Sequence, residues 1–340
     1  MVEKRTVLVT ATGGPAGLAA VRSLLKVGNF KIVSVDADPF GSGLHLKGVK
    51  PYTVPFANQE EYVPKLFDVC EKENVEIVLP CSDEEILELS KHKQFFNSKG
   101  IQLPVASHNV IANASDKWKM LETISEYGIR APQTFSPRTL NEFKNAIKQT
   151  SFPLVIRPRI SRGSRGVTYC DNKGEAECAF KLLRKNYGKI IVQEFIPGES
   201  GSVFVVQTLW NHQHRLCACA VMQKLRERPP TGGVATAGKT VHDNHLRNLG
   251  ESIVEKLGPW VGPAGVEFKV SKLNRQPYVM EVNPRFQGVL SLFTEAGINF
   301  PHLWVLMAFN QEFHPRFEYE ELYFVRTLVD LTISRQDLLR

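Results

Sequence analysis

The residues best placed to do chemistry are two glutamates on either side of a short turn. Residues 265–271 and Pro277–Asn283 each read as a strand, and the polar turn between them centres near Asn274. Glu267 lies 274 − 267 = 7 positions before that centre and Glu281 lies 281 − 274 = 7 after it. In an antiparallel hairpin, equal spacing predicts cross-strand neighbours. Asn283 shares that face by alternation, and so does Arg285. Two unpaired carboxylates among apolar neighbours repel each other and are costly to desolvate. A hard divalent cation resolves the conflict. Oxygen donors from Glu267, Glu281 and Asn283 suit Mg²⁺ or Mn²⁺, commonly shared with substrate phosphates. Arg285 then adds positive charge beside a phosphoryl group. A solvated strand face is the alternative, and the register agreement across the turn disfavours it.

Three upstream stretches add to this. Arg157 ends the apolar strand 153–158, and the loop Ser161-Arg162-Gly163-Ser164-Arg165-Gly166 follows it. The loop glycines let the main chain approach a polyphosphate, and the arginines add charge. Four arginines fall between Arg157 and Arg165, but no aromatic residue interleaves to stack on bases, so nucleic acid is disfavoured. A solvated basic loop stays open. Residues 190–199, IIVQEFIPGE, form a strand running into a Pro-Gly turn. Its backbone could read an adenine edge, or it could be an ordinary buried strand.

The N-terminal loop 10–17, TATGGPAG, joins a strand to a helix, where N–H groups can hold an anion. Asp36 follows Gly17 by 36 − 17 = 19 positions, the place of a ribose-binding acid in a dinucleotide fold. Thr12 replaces the first fingerprint glycine. Dinucleotide binding, another polar or anionic ligand at Gly13 and Gly14, and a plain tight turn are all open on these residues alone.

Other residues exclude rather than identify. The six cysteines form no repeated C-x-x-C pair, so a zinc site is not expected. The two close histidine pairs, His212 with His214 and His242 with His245, lack an evident third ligand. The chain has 340 residues, 43% hydrophobic and 23% charged, as in a globular protein of two or three domains. A net charge of 42 − 35 = +7 is spread along the chain and identifies no partner. No apolar run approaches the ~18 residues of a membrane span, and no leader pattern opens the chain, so a cytoplasmic protein without membrane partners is expected.

The elements that must position these residues fall into two patterns. Over the first ~110 residues strands and helices alternate: strands at 6–10, 31–36, 52–54, 76–79 and 102–105, helices at 15–26, 60–72 and Asp83–Lys91. This predicts a doubly wound parallel sheet. Ser115 reads as the N-cap of a helix over 116–127 closed by Gly128. A short strand follows, then a helix at 140–149, the strand 153–158, a helix at 174–186 and a strand at 189–196. Long strands at 202–210, 214–223, 265–271 and Pro277–Asn283 are interrupted by a helix at 244–257, an α+β pattern of antiparallel strands. The apolar helix 300–309 suits either the core or a homodimer contact. Residues 317–340 read as a further strand and a charged end.

Taken in order, the helix start at Ser115-Asp116-Lys117, Ile156-Arg157-Pro158, the Gly-rich loop, QEFIPGE and MEVNPR resemble the ATP-grasp superfamily. The likeness is greatest to its carbamoyl-phosphate-synthase-like branch and covers essentially the whole chain. It implies a pre-ATP-grasp Rossmann-like domain over 1–112 and a two-lobed ATP-grasp domain over 113–310. The lobes are a small one at about 130–195 and a large one at about 196–310, before a C-terminal segment 311–340. The resemblance implies that Lys117, Arg157, Ser161, Gly163, Ser164 and Gly166 contact ATP phosphates. It places Gln193, Glu194, Phe195 and Ile196 around the adenine and Glu199 on the ribose. It gives Glu267, Glu281 and Asn283 to Mg²⁺ (or Mn²⁺), and Arg285 and Arg157 to the transferred phosphoryl group. The glycine loop becomes part of the acceptor region and not an NAD site, and segments 36–38 and 82–85 become candidate acceptor contacts. Residues 224–233 resemble amino-acid-ligase relatives, which makes Arg226 or Arg228 a candidate for the acceptor carboxylate or acyl phosphate; a basic surface loop is the other reading. Gly201 stands where the branch has its ribose acid, and the chain carries a single ATP-grasp unit without a glutaminase segment. The implied activity is an ADP-forming carboxylate–amine ligase acting on small molecules. Its alternatives are phosphorylation of a carboxylate or carbamate without amide formation, and a non-catalytic ATP-binding protein.

Overall fold

The computed structural model describes residues 4–161, 163–229 and 233–334. Arg162, part of the segment 224–233 and the last six residues of the charged end lie outside the described residues.

The N-terminal unit alternates β1 (Arg5–Val9), α1 (Pro15–Val27), β2 (Phe30–Asp36), β3 (Val49–Thr53), α2 (Tyr62–Glu73), β4 (Ile77–Leu79), α3 (Asp83–Lys91) and α4 (Lys93–Ser98). Its four strands are parallel, in the order β3-β2-β1-β4. β1 and β4 are short apolar runs because helices cover them, with Val7 to Val9 and Ile77 to Leu79 buried, whereas the edge strand β3 is partly exposed. The expected strand at 102–105 reduces to one bridge, Ile77 with Gln102. Pro104 interrupts the run; its carbonyl accepts the Trp304 indole N–H at 2.9 Å.

Helices α5 (His108–Ser115) and α6 (Lys117–Ser125) link this unit to the rest. Ser115 closes α5, and Asp116 is the N-cap of α6, accepting the N–H groups of Trp118 and Lys119. The expected cap is therefore one residue early. Asp116 wins because it also grips Arg159 through three contacts, at 2.6, 2.8 and 3.1 Å.

A small antiparallel sheet, ordered β5-β8-β6-β7, follows. Its elements are β5 (Thr134–Phe135), α7 (Leu140–Lys148), β6 (Leu154–Pro158), β7 (Thr168–Cys170), α8 (Lys173–Tyr187) and β8 (Ile190–Glu194). It owns a separate core, with Phe143 stacked on Phe180 above Leu154, Ile156 and Val192.

The large sheet is antiparallel, ordered β13-β12-β9-β10-β11-β14. It contains β9 (Val203–Trp210), β10 (Leu216–Arg228), β11 (Val234–Val241), α9 (Asn244–Lys256), β12 (Gly262–Val270), β13 (Pro277–Asn283), α10 (Leu290–Glu295), α11 (Phe300–Ala308) and β14 (Tyr323–Val325). Residues 224–228 are strand, not loop, because β11 pairs with them. Helix α11 packs into the core, with Phe300 and Trp304 fully buried. One continuous core joins the N-terminal sheet to the large sheet. Five of the six cysteines are buried and all six are unpaired. Among the described residues no helix is long and apolar enough to cross a membrane.

Candidate active site

A cleft of about 1590 Å³ runs between the N-terminal sheet, the small lobe and the large sheet. Strands β12 and β13 supply its floor. Glu267 and Glu281 are direct cross-strand partners, as the spacing predicts. A bulge follows immediately: Phe268 pairs with Val279, and Met280 is the extra residue. The Met280 carbonyl accepts Arg157 Nη2 at 2.8 Å. Thus the irregularity that sets the glutamate register also anchors the arginine from the small lobe.

Four cations surround the two carboxylates. Lys117 Nζ lies 3.5 Å and Arg157 Nη1 3.9 Å from Glu281 Oε2. Lys224 Nζ lies 2.7 Å from Glu267 Oε2 and 3.1 Å from Glu227 Oε1. Arg285 Nη2 pairs with Asp83 Oδ2 at 2.7 Å, tying the floor to the start of α3. Burial pushes the Glu281 carboxyl up, but Lys117 and Arg157 outweigh it and hold it at about 2. For Glu267 burial prevails over Lys224, and the charge of Glu281 adds to it, so this carboxyl sits above its ordinary range. Burial lowers Lys117 and Arg157, whereas Glu267 and Glu227 overcome burial at Lys224 and raise it.

The residues fit a hard cation shared with polyphosphate. Glu267 and Glu281 are oxygen donors side by side, and Glu281 is ionised at neutral pH. Among the described residues no three His, Cys, Asp or Glu side chains cluster as a metal site. Arg157 Nε and Gln193 Oε1 are buried without a hydrogen-bond partner, in side chains that line the cleft. Orphans of this kind are rare in the absence of a ligand.

Of the other expected residues, Ser161, Gly163, Ser164, Gln193, Glu194, Phe195, Ile196, Glu199, Gly13, Gly14 and Arg226 line the same cleft, as does Arg165. The Ser161 carbonyl accepts Lys117 Nζ at 3.1 Å. The Glu194 N–H is committed to the Gln133 carbonyl at 2.8 Å. Gly13 donates its N–H to Asp36 Oδ2 at 2.6 Å. An internal carboxylate thus takes the donor that a dinucleotide pyrophosphate would need, and the loop is a closed turn in the cleft wall.

Three expected residues lie elsewhere. Gly166 is outside the cleft wall; a Cβ there would meet Pro158 Cγ at 2.8 Å and Tyr187 Cε2 at 2.9 Å, so this glycine serves packing. Arg228 is exposed at the end of β10, beyond two register shifts, and does not reach the cleft. Asn283 does not itself line the cleft but touches two side chains that do: its Nδ2 donates to Glu281 Oε1 at 3.1 Å and its Oδ1 accepts Arg285 Nη2 at 3.3 Å. It orients Glu281 in this arrangement.

Sequence reasoning missed Lys224 and Glu227. Three positions apart, they should face opposite ways in a regular strand. Register shifts between Lys224 and Arg226, and between Arg226 and Glu227, bring both to one side. Asp83 was within reach, since 82–85 had been marked as a strand-end segment.

Comparison with known proteins agrees with this geometry. Residues 114–289 match the family model described as an ATP-grasp domain, and residues 7–104 match a PylC-like N-terminal domain. The chain is similar to the carbamoyl phosphate synthase large chain of Haemophilus ducreyi, with 21% identity over 83% of this chain and 27% of the relative. It is similar to that of Gemmatimonas aurantiaca at 22%, covering 83% and 26%. It therefore spans about a quarter of the length of these curated relatives. Its fold is like that of N5-carboxyaminoimidazole synthetase from Staphylococcus aureus complexed with ADP (TM-score 0.75, 14% identity, 96% of this chain and 83% of that one). It is also like biotin carboxylase from Campylobacter jejuni (0.72, 17%, 90% and 71%) and L-amino acid ligase from Bacillus licheniformis (0.69, 18%, 91% and 75%). The carboxylate pair, its ring of cations and the match over 114–289 lead to one conclusion: this chain belongs to the ATP-grasp family.

Proposed function

We propose that the chain is an ATP-dependent ligase that activates a carboxylate as an acyl phosphate and joins it to an amine, releasing ADP and phosphate. The observation that carries this reading is the placement of Glu267 and Glu281, with Lys117 and Arg157 against them, in a cleft that continues to the glycine-loop wall. One end suits a nucleotide and the other leaves room for acceptors.

The charges are balanced before any ligand binds, with Lys117, Arg157 and Lys224 against Glu227, Glu267 and Glu281. Binding then becomes an exchange of partners. Lys117 and Arg157 would turn to phosphate oxygens, while Glu267 and Glu281 would hold Mg²⁺, which would supply charge neutralisation on the polyphosphate. Gln193 to Ile196 wall the adenine, Glu199 takes the ribose, and Gly163 and Ser164 bring main-chain N–H groups to the phosphates. A substrate carboxylate oxygen attacks the γ-phosphorus and the bridging oxygen leaves with ADP. The amine nitrogen then attacks the acyl carbon and phosphate leaves. Arg285 neutralises the transferred group, and Arg226, which lines the cleft with its guanidinium resting on Thr236, turns to a substrate carboxylate. Alignment and charge neutralisation carry the reaction, and no nucleophilic side chain is required.

The test is ADP release with Mg²⁺ over a matrix of amino acids, hydroxy acids and amines, with products identified by mass. An amide formed in step with ADP supports the ligase. A free acyl or carbamoyl phosphate without amide moves the chain to the phosphorylation reading, and ATP binding without ADP release across the panel overturns catalysis. Full activity in Glu281→Gln would remove the metal assignment.

A further inference from the structure

Glu85 is a buried carboxyl in the N-terminal wall that the reaction above does not use. It sits in the first turn of α3 and is 7% exposed, yet it lines the cleft. Its Oε2 accepts Thr10 Oγ1 at 2.6 Å and Ser82 Oγ at 2.8 Å. No described residue makes a well-formed hydrogen bond to Oε1; the Tyr62 phenol acts on the carboxyl only as a weak donor, and no described cation pairs with it. The titratable groups around it are Asp36 at the end of β2, Cys81 after β4 and the phenol of Tyr62 on α2. Tyr62 is fully buried, and its hydroxyl has no partner beyond this weak contact with Glu85. Ser82 is the N-cap of α3 and accepts the Glu85 backbone N–H at 3.3 Å, a bond that any residue at position 85 could make. The cap alone therefore does not call for a carboxyl.

We propose that Glu85 receives the ammonium of the acceptor substrate at Oε1 and takes the proton the amine must lose before it attacks the acyl phosphate. This rests on the ligase reading. The step balances: R–NH₃⁺ and Glu85 carboxylate give R–NH₂ and Glu85 carboxylic acid. The nitrogen then bonds the acyl carbon, the C–O bond to phosphate breaks, and the second proton leaves with phosphate. Burial raises this carboxyl, against the hydrogen bonds from Thr10 and Ser82 and with the charge of Asp36, to about 7, a useful value for a proton acceptor at neutral pH. The acceptor class is thus a primary amine that arrives protonated.

Hydroxylamine, neutral near pH 7, separates the steps. It traps the acyl phosphate as a hydroxamate and does not need deprotonation. The ratio of amide to hydroxamate is measured for the wild type and Glu85→Gln over the same carboxylate and amine panel. We expect the ratio to fall by about 100-fold or more in the variant. We also expect the wild-type ratio to rise with pH through a single ionisation near 7. An unchanged ratio in Glu85→Gln overturns the proposal. So does a wild-type ratio flat from about pH 6 to 8, whatever the folding of the variant. Absence of hydroxamate in the wild type with every carboxylate is a different failure: it removes the ligase reading itself, and this proposal with it.

Discussion

Lys224 Nζ reaches across β9 to within 2.7 Å of Glu267 Oε2, so one of the two facing glutamates has its counter-ion supplied from two strands away. Removing that cation leaves Glu267 and Glu227 buried without compensation. Lys224→Met should cost about 3–5 kcal/mol of stability in denaturant unfolding. Millimolar Mg²⁺ should restore more stability to this variant than it adds to the wild type, because the ion takes over the missing charge. Equal Mg²⁺ effects in the two proteins would show that the carboxylates do not hold the ion.

Gln193 Oε1 is buried without a donor, while its Nε2 is held by Thr134 Oγ1 at 2.9 Å. Replacing an unsatisfied amide by an apolar side chain of similar size should leave folding stability within about 1 kcal/mol. Gln193→Leu should nevertheless raise the KM for ATP, by roughly tenfold for the loss of one hydrogen bond in a dry site. A drop in stability with unchanged KM would assign Gln193 a purely structural role.

The two loop glycines should respond differently to alanine. Gly166 has a φ of +74 and its Cβ would press into the Pro158 ring and Tyr187, whereas Gly163 has a φ of +55 and open space. Thermal unfolding should show Gly166→Ala losing more than about 2 kcal/mol and Gly163→Ala about 1 kcal/mol, the cost of the left-handed backbone alone.

Glu85 also makes a stability statement. Its folded pKa, raised to about 7, exceeds that of an unfolded carboxyl, so its contribution is complete below the unfolded value and is lost as pH rises through 7. Glu85→Gln should therefore unfold at a higher temperature than the wild type at pH 8. The gain should be on the order of 3 kcal/mol and should shrink toward zero near pH 4.5.

The hairpin was legible because its turn is polar and its strands apolar, so counting outward from Asn274 finds Glu267 and Glu281. The pairs nearest the turn, such as Val270 with Pro277, are centred half a residue earlier, and the bulge at Met280 brings the outer pairs to that count. The parallel N-terminal strands were legible for a similar reason, as short apolar runs punctuated by turn residues. Lys224 and Glu227 were not, because two register shifts break the alternation that strand reading relies on. Nor was β11, whose Val-Ala-Thr-Ala-Gly-Lys-Thr-Val run has small side chains and a glycine; its strand conformation comes from pairing with β10. Between Ser115 and Asp116, both good caps, the choice was made by Arg159, a residue 43 positions away.

The small lobe keeps its own apolar interior, separate from the one shared by the other two units. The cleft lies along that seam. Arg157 and Gln193 stand on one bank, and Glu267 and Glu281 on the other. A change of angle between the lobe and the other two units would therefore expose neither core, and its cost would fall on the contacts that cross the cleft. The bond from Arg157 to the Met280 carbonyl is one such crossing contact. A ligand seated there would touch both cores' outer faces and so tie two independently folded interiors together.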